Sequence, residues 1–491
     1  MTVTASRSTL VSTEWTAKGD RMTYRFDPEG RRLPIKLDST SNAEYAPIPL
    51  EPRNEHANDL AQEAATANAK RTGLHRRDFL ISAAGAATTL LAINDANAKA
   101  GKRAGYFELA RESGLDNAAA DDALGKQEFI FDVQGHYVPP SVAAARKADC
   151  SKHDYVSRDY MRCLGADDFV KDVFLDADTD MMVLSFVPSR RDNEPLTAEE
   201  ARATQQIVDE LDGTHRLLVH GRVNPNQEGD LDAMDELAEK YGVSAWKTYT
   251  QWGPDGKGFY LTDDVGLAFI EKARKLGVKN ICIHKGIPFG RRSYEHSLCT
   301  DIGPVAKMYP DVNFLIYHSG WVPNQAEGPY DRNRNEGIDG LIASVEKAGL
   351  GHNSNVFAEL GSTWRGLTRD LDSAAHTMGK LVKHLGENNV LWGTDSIWYG
   401  SPQDQIQAFR SFQIDKDVRE QNGYAEMTSG LRKKIFGLNA LKPYPVPLEE
   451  VTAAMANDMV AQRRDNYADR RDPHHLTFGP KTRREFLSLE V

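Results

Sequence analysis

Three histidines and one aspartate stand at the ends of short apolar runs, and their types and positions give them the most capacity for chemistry. They are His136, His284, His318 and Asp395. Neutral imidazole and carboxylate oxygen are ligands that zinc, manganese and iron accept while keeping one coordination position open. A single buried histidine is usually part of a core, but four such groups at four run ends favour a metal site.

The first of these runs, residues 129–136, carries three polar residues on one face. Asp132, Gln134 and His136 are each two residues apart, so their side chains point the same way in a strand. Burying three polar groups costs free energy unless hydrogen bonds or a metal ion satisfy them. This run alone is compatible with either a hydrogen-bonded cluster or a metal site.

Eight apolar, β-rich runs alternate with amphipathic helical stretches from residue 129 onward. Near-continuous apolar character is typical of parallel strands that are covered by helices on their outer face. Eight strand–helix units predict an α/β fold, the closed (β/α)8 TIM barrel, whose chemistry lies at the carboxyl ends of the strands. An open doubly wound sheet would be expected to show a glycine-rich loop after its first strand, and none follows residue 136. The predicted strands are residues 129–136, 180–188, 215–223, 243–249, 280–284, 312–318, 355–360 and 389–395.

The barrel is predicted over residues 128–442, with a long N-terminal extension and a C-terminal helical tail. Residues 1–74 are polar and lack sustained periodicity, which predicts disorder. Residues 99–127 are interpreted as a helical lead-in to the barrel. The tail, residues 443–491, could lie across the barrel or clasp a neighbouring subunit, and we expect a homo-oligomer.

Residues 75–98 resemble a twin-arginine export signal. Arg76 and Arg77 precede a weakly apolar, alanine-rich run, and Ala96-Asn97-Ala98 has the pattern of a cleavage site. The apolar run is too short to span a bilayer, which needs about 20 residues. We therefore predict an exported, periplasmic protein without a membrane span, whose mature chain begins near Lys99. The alternative is a cytoplasmic protein in which the run forms a buried helix.

Composition narrows the function classes. The formal net charge is −11, from 60 Lys+Arg against 71 Asp+Glu, which argues against a nucleic-acid-binding surface. The four cysteines show no CxxC spacing and predict neither a zinc ribbon nor a disulfide framework. A serine hydrolase is disfavoured because the chain has no Gly-x-Ser-x-Gly motif. These features therefore argue against a nucleic-acid-binding protein, a zinc-ribbon protein and a serine hydrolase.

The sequence resembles the amidohydrolase superfamily in three features. They are the polar residues at the run ends, the segment Trp392-Gly393-Thr394-Asp395, and the closing helix around residues 435–440. The resemblance covers roughly residues 128–442. Within the superfamily it is to the amidohydrolase-related branch, which includes aminocarboxymuconate-semialdehyde decarboxylase and aromatic-acid decarboxylases.

This resemblance implies one divalent metal ion, with zinc favoured and manganese or iron as alternatives. Its implied ligands are His136, His284 and Asp395, and His318 and Asp395 would be the catalytic groups. The family's first strand usually carries His-x-His, and here Gln134 stands at the first of those positions. A glutamine oxygen is a neutral and poorer zinc ligand. The ion could therefore be held by three strong ligands with Gln134 as a weak further ligand, be bound weakly, or be absent. Metal-free lactonases are known in the same superfamily.

The reaction expected from the resemblance is hydrolysis by a metal-activated water. Nonoxidative decarboxylation, a metal-free lactonase-like hydrolysis and an inactive barrel that serves as a binding protein are the alternatives. Aromatic residues around one mouth suit a flat substrate, and cations suit a carboxylated one. The predicted substrate-binding residues are Lys247, Tyr249, Trp321 and Trp398. Arg291, Arg292 and Arg365 are further candidates to clamp a carboxylate.

Overall fold

The computed structural model describes residues 24–137, 169–212, 215–288, 294–456, 459–468 and 471–488. Eight parallel strands follow one another in chain order, each hydrogen-bonded to the next. The sheet closes because the Val133 amide donates to the Trp392 carbonyl at 3.1 Å and the Asp395 amide donates to the Gln134 carbonyl at 3.0 Å. The predicted barrel is confirmed, and every strand falls inside its predicted run. The strands are β1 (Phe131–Gly135), β2 (Met181–Leu184), β3 (Leu217–Arg222), β4 (Ala245–Tyr249), β5 (Asn280–His284), β6 (Asn313–Tyr317), β7 (Val356–Glu359) and β8 (Val390–Leu391).

Helices cover the outside of the barrel and extend it at both ends. The helix after β2 begins with a capping box, in which Thr197 and Glu200 exchange hydrogen bonds of 3.1 Å between side chain and backbone amide. Before the barrel lie α1 (Pro52–Thr72), α2 (Arg76–Leu80), α3 (Ala83–Lys99) and α4 (Asn117–Leu124). Around it lie α5 (Ala198–Asp212), α6 (Asp230–Glu239), α7 (Asp264–Lys275), α8 (Ile302–Met308), α9 (Gly337–Lys347), α10 (Thr363–Leu367), α11 (Leu371–Leu385), α12 (Gln403–Ser411), α13 (Lys416–Asn422) and α14 (Ser429–Phe436). After it lie α15 (Leu448–Met455), α16 (Met459–Ala468) and α17 (Arg483–Ser488).

Alternate strand residues serve two different cores, as the two-residue period of a strand requires. In β5, Cys282 points into the barrel interior, where it packs with Leu315 and Phe357. Its neighbours Ile281 and Ile283 point outward and join the larger core between strands and helices. The barrel is therefore filled by side chains, and open space for chemistry is left only at its ends.

A buried ion cluster fastens α11 to α9 and to the loop that joins β6 to α9. The Lys380 ammonium donates to Glu327 and to Asp339, each at 2.6 Å, and all three side chains are almost wholly buried. A buried cation between two carboxylates is well compensated as long as every member is present.

The expectation of disorder over residues 1–74 is wrong for the part of that stretch that the structure describes. This part consists of residues 24–51, here called the arm, and the helix α1. The helix α1 buries an alanine at every fourth position, Ala57, Ala61, Ala65 and Ala69, and packs against α3. Small side chains give a weak apolar signal in the sequence but let two helices pack closely. Gly73 ends α1 in the left-handed conformation, with φ of +71°.

The alanine-rich run that resembles an export signal forms most of α3, which is buried along most of its length. Arg77 in α2 is fully buried, and its guanidinium lies 3.6 Å from Asp27 of the arm and 3.1 Å from Asp472. It also donates to the Pro473 carbonyl. The segment is thus an integral part of the folded chain.

The last described part of the tail, residues 471–488, lies across the barrel of its own chain. The amides of Phe478 and Gly479 donate to the Trp398 carbonyl at 2.7 and 2.9 Å. The Ser41 amide of the arm donates to the Pro480 carbonyl at 3.0 Å, so arm and tail also bind each other. Within the described residues, no helix combines the length and the apolar character needed to cross a membrane.

Candidate functional site

The carboxyl ends of four strands bring the predicted residues to one mouth of the barrel. His136 follows β1, His284 ends β5, His318 follows β6 and Asp395 follows β8, and all are 0–5% exposed. His318 and Asp395 have positive φ values of +66° and +59°. This left-handed backbone costs of order 1–3 kcal/mol in a residue other than glycine and is common where function fixes a side chain.

Asp395 is the centre of a first group of polar side chains. Its Oδ1 accepts a hydrogen bond of 2.9 Å from the Gln134 amide and lies 3.2 Å from Nε2 of His136. Its Oδ2 accepts from the Ser362 hydroxyl at 2.5 Å. Burial alone would raise the pKa of Asp395, but the hydrogen bond and charge of His136 outweigh it and hold the pKa well below its usual range. Asp395 is therefore a carboxylate at neutral pH.

Gln134, predicted as a weak metal ligand, turns its amide nitrogen toward Asp395 and His136. The two distances are 2.9 Å to Oδ1 of Asp395 and 3.3 Å to Nε2 of His136. Its Oε1 is buried without a hydrogen-bond partner among the described residues. In this arrangement Gln134 orients Asp395 through a hydrogen bond.

His284 and His318 form a second group with an unusual geometry. Nε2 of His284 donates to the Ile287 carbonyl at 2.9 Å, and Nδ1 of His318 donates to the Gly361 carbonyl at 2.7 Å. The other two ring nitrogens, which carry the lone pairs in these tautomers, face each other at 3.2 Å. Burial lowers the pKa of His318 to about 4 and that of His284 well below its ordinary value, so both rings are neutral.

Two residues of the arm join these groups, and the sequence analysis missed both. The Asn42 amide donates to Oε2 of Glu44 at 2.5 Å and to Oδ2 of Asp395 at 2.7 Å. The Glu44 carboxylate lies 3.4 Å from His284 and 3.9 Å from His318. Burial, and next the charge of Asp395, raise the pKa of Glu44 to about 8. No local motif marks either residue, because the arm has neither periodicity nor ligand spacing.

The second group fits a divalent cation. One ligand atom each from Glu44, His284 and His318 lie within 4.8 Å of one another, and all three residues are buried. Two nitrogens bound to tetrahedral zinc at about 2.0–2.1 Å would lie roughly 3.3 Å apart, close to the separation of the two facing nitrogens. Each histidine also has its second nitrogen fixed by a carbonyl, the usual support of a metal-bound imidazole.

A protein-family model described as amidohydrolase matches residues 131–446, which is well over half of the chain. The chain belongs to the amidohydrolase family. This match confirms the family resemblance seen in the sequence and, with it, the expectation of an enzyme.

Several solved structures are similar to this amidohydrolase. A variant of 5-carboxyvanillate decarboxylase from Novosphingobium aromaticivorans, with bound manganese, is 12% identical with a TM-score of 0.42, over 65% of this chain and 97% of that one. The 2,6-dihydroxybenzoate decarboxylase from Rhizobium is 14% identical with a TM-score of 0.38, over 65% and 99%. The 4-oxalomesaconate hydratase from Rhodopseudomonas palustris is 15% identical with a TM-score of 0.40, over 66% and 98%. None of the curated proteins compared with the chain matches it.

Two further buried carboxylates of the amidohydrolase hold the mouth in shape. Asp132 accepts hydrogen bonds from the backbone and hydroxyl of Thr394, which fixes the turn that carries Asp395. Glu359 accepts from the His318 amide at 2.9 Å. A Cβ at position 393 would lie 1.6 Å from the Glu359 carboxylate, so the close approach requires Gly393. Burial raises the pKa of Asp132 to about 7 and that of Glu359 to about 8.

The side chain of Lys247, which is predicted to bind substrate, is fully buried at the mouth of the barrel. Its ammonium lies 3.8 Å from the centre of the Tyr317 ring and has no hydrogen-bond partner among the described residues. Burial lowers the pKa of Lys247 to about 8, against the attraction of Glu44 and other carboxylates. Substrate binding by Lys247 stays a prediction.

The three predicted aromatic residues have different surroundings. Tyr249 stacks on His284 with ring centres 4.6 Å apart and hydrogen-bonds to Glu44. Trp321 packs edge-on against Tyr45 of the arm at 6.3 Å. Trp398 lies in an apolar cluster with Leu476 and Phe478 of the tail.

Substrate contact by these three residues stays a prediction. Arg365 pairs with Asp38 of the arm at 2.9 Å, and Arg291 and Arg292 lie outside the described residues.

Proposed function

We propose that the protein is a metal-dependent hydrolase of a small, carboxylated or aromatic substrate, with one divalent ion held by His284 and His318. The observation that carries the proposal is the pair of buried, neutral imidazoles whose lone pairs face each other at 3.2 Å. Zinc suits two imidazoles and a carboxylate with one position left open, and manganese or iron are the alternatives.

The ion would polarise a substrate carbonyl and lower the pKa of water toward about 7. The chain's own groups supply the remaining requirements. Asp395 is ionised and adjacent, so it can accept a proton at the carboxylate that also faces His136 at 3.2 Å. Lys247 can neutralise a substrate carboxylate, and the burial of all these groups excludes bulk water from the reacting atoms.

Nonoxidative decarboxylation is the second candidate, and Lys247 is the observation that favours it. A buried ammonium without a hydrogen-bond partner among the described residues is suited to an acid substrate. The same metal position serves both reactions, so only the products separate them.

The first experiment measures metal content and metal affinity in purified wild type, His284→Ala and His352→Ala. His352 is exposed and serves as the matched control. We expect about one equivalent of metal in wild type and in the control, and a loss of binding in His284→Ala. Equal metal content in all three proteins, or none in the wild type, would refute the proposal.

Product analysis then identifies the reaction. Wild type, loaded with zinc or manganese, is incubated with panels of lactones, amides and aromatic acids. Ring opening or amide cleavage would support hydrolysis, whereas release of carbon dioxide from the acids would support decarboxylation. The homo-oligomer expected from the sequence stays a prediction that sedimentation of the same preparations would test.

A further inference from the structure

Glu44 lies in the barrel mouth although it comes from a part of the chain that the family model does not include. The match begins at residue 131, whereas Glu44 belongs to the arm. The residue is 6% exposed, and its carboxylate oxygens lie 3.4 Å from Nδ1 of His284 and 3.9 Å from Nε2 of His318. The amidohydrolase barrel alone therefore does not account for every group at its mouth.

The position of Glu44 is significant because the two nitrogens it approaches both carry lone pairs. Since the carbonyls of Ile287 and Gly361 take the other ring protons, neither facing nitrogen can donate to its neighbour. Two imidazole lone pairs that face each other in a buried space repel each other. A cation between them turns this repulsion into attraction.

The charge balance of a bound divalent ion gives a second reason for a carboxylate beside the histidine pair. The first strand supplies Gln134, which is neutral and directs its amide nitrogen toward Asp395. Glu44 lies beside the histidine pair, and the Asn42 amide links it to Asp395. Together they would balance the two positive charges of a divalent ion.

The arm is held firmly on the barrel around Glu44. The Lys36 ammonium donates to the carbonyls of Tyr399 and Ser401, each at 2.7 Å. Asp38 pairs with Arg365 at 2.9 Å. A ligand is effective when the surrounding structure fixes its position in advance, and these contacts do so on the residues leading to Glu44.

We propose that the arm completes the active site, with Glu44 as the third protein ligand of the ion held by His284 and His318. The inference rests on the proposed function and extends it, because it assigns a ligand from outside the family's barrel.

The test compares metal binding by wild type, Glu44→Gln and Glu55→Gln. Glutamine has nearly the size of glutamate and lacks the charge, and Glu55 is an exposed glutamate in α1 that serves as the control. Equilibrium dialysis with Zn²⁺ and visible absorption with Co²⁺ report affinity and ligand set without any substrate. We expect Glu44→Gln to bind Zn²⁺ at least about tenfold more weakly and to show an altered Co²⁺ spectrum. Glu55→Gln should match wild type.

Hydrogen exchange of residues 36–46 provides a second measurement. Zn²⁺ should slow exchange in wild type and in Glu55→Gln, and should no longer do so in Glu44→Gln. If Glu44→Gln binds Zn²⁺ as wild type does, with the same spectrum and the same protection, the arm proposal is overturned and the proposed function stands. If wild type itself binds no metal, both proposals fall together.

Discussion

Substitution of the two neighbouring arginines separates a structural role of residues 75–98 from an export signal. If the segment acts only as an export signal that is recognised by its arginine pair, Arg76→Gln and Arg77→Gln should have the same effect on export and little effect on stability. In the folded chain the two substitutions should differ in their effect on stability, because Arg77 is fully buried between Asp27 and Asp472, whereas Arg76 is partly exposed. We expect Arg77→Gln to destabilise the folded chain far more than Arg76→Gln.

The contacts of the two arginines give the expected difference in the free energy of unfolding. Removing one partner of a buried ion pair costs about 3–5 kcal/mol. The lower end applies to Arg77, since Asp472 is partly exposed and Asp27 keeps hydrogen bonds from the amides of Arg31 and Arg32. Arg76 donates to the carbonyls of Gly30 and Gln62 and to the side chains of Thr66 and Gln62. Because these groups are partly exposed, water replaces the lost hydrogen bonds, and the net cost is about 1–2 kcal/mol.

Thermal unfolding measures the difference. The entropy of unfolding is about 2.1 cal/mol/K per residue, or roughly 1 kcal/mol/K for 491 residues that unfold together. Arg77→Gln should therefore lower the melting temperature by about 3 °C and Arg76→Gln by about 1–2 °C. Because Arg77 joins arm and tail, its variant should also show faster hydrogen exchange around Glu44. Equal, small shifts for both variants, together with equal loss of export from the native cell, would refute the structural role.

Three further predictions concern single side chains. His318→Asn should lower bound metal and turnover together, as measured by elemental analysis and a turnover assay; retained metal with about hundredfold lower turnover would instead support the acid/base role predicted from the sequence. Gln134→His should leave metal affinity in equilibrium dialysis nearly unchanged, because Gln134 faces Asp395 and not the histidine pair, and a marked rise would place position 134 in the coordination sphere. Lys380→Met should cost about 3 kcal/mol in urea unfolding, because two buried carboxylates lose their hydrogen-bonded cation and keep only the more distant Arg334. The exposed Lys383→Met on the same helix should change stability by no more than about 0.5 kcal/mol, and an equal effect of both would contradict this account.

The barrel could be predicted because each of its strands is encoded by a short, continuous stretch of the sequence. Each strand is an apolar run whose length and flanking residues are visible in a short window, and a strand's last residue in a parallel barrel has only one mouth to occupy. The placement of His136, His284, His318 and Asp395 at one mouth followed from that rule. The helix α1 escaped notice for the opposite reason, since its buried stripe is made of alanines, which add little to any hydropathy pattern.

The arm's contribution could not be predicted because it depends on contacts between distant parts of the chain. Asn42 and Glu44 lie in a polar stretch, and only the closed structure shows that they meet Asp395 and the histidine pair. One indirect signal was present in the sequence. Gln134 stands where the family's first strand usually carries one of two histidines, so a site that binds a cation has one strong ligand fewer from that strand.

The predicted export and the arm's proposed role make opposite demands on the mature chain. Cleavage near Lys99 would remove Glu44, Asn42 and Arg77, and would expose the apolar surfaces that α3 covers. Export remains a prediction, and it is compatible with the arm only if the chain keeps its N-terminal part. Mass spectrometry of the protein from its native cell decides between the two: a mature chain that still contains Glu44 supports the arm. An active, metal-loaded chain that begins near Lys99 would show that the barrel works without the arm.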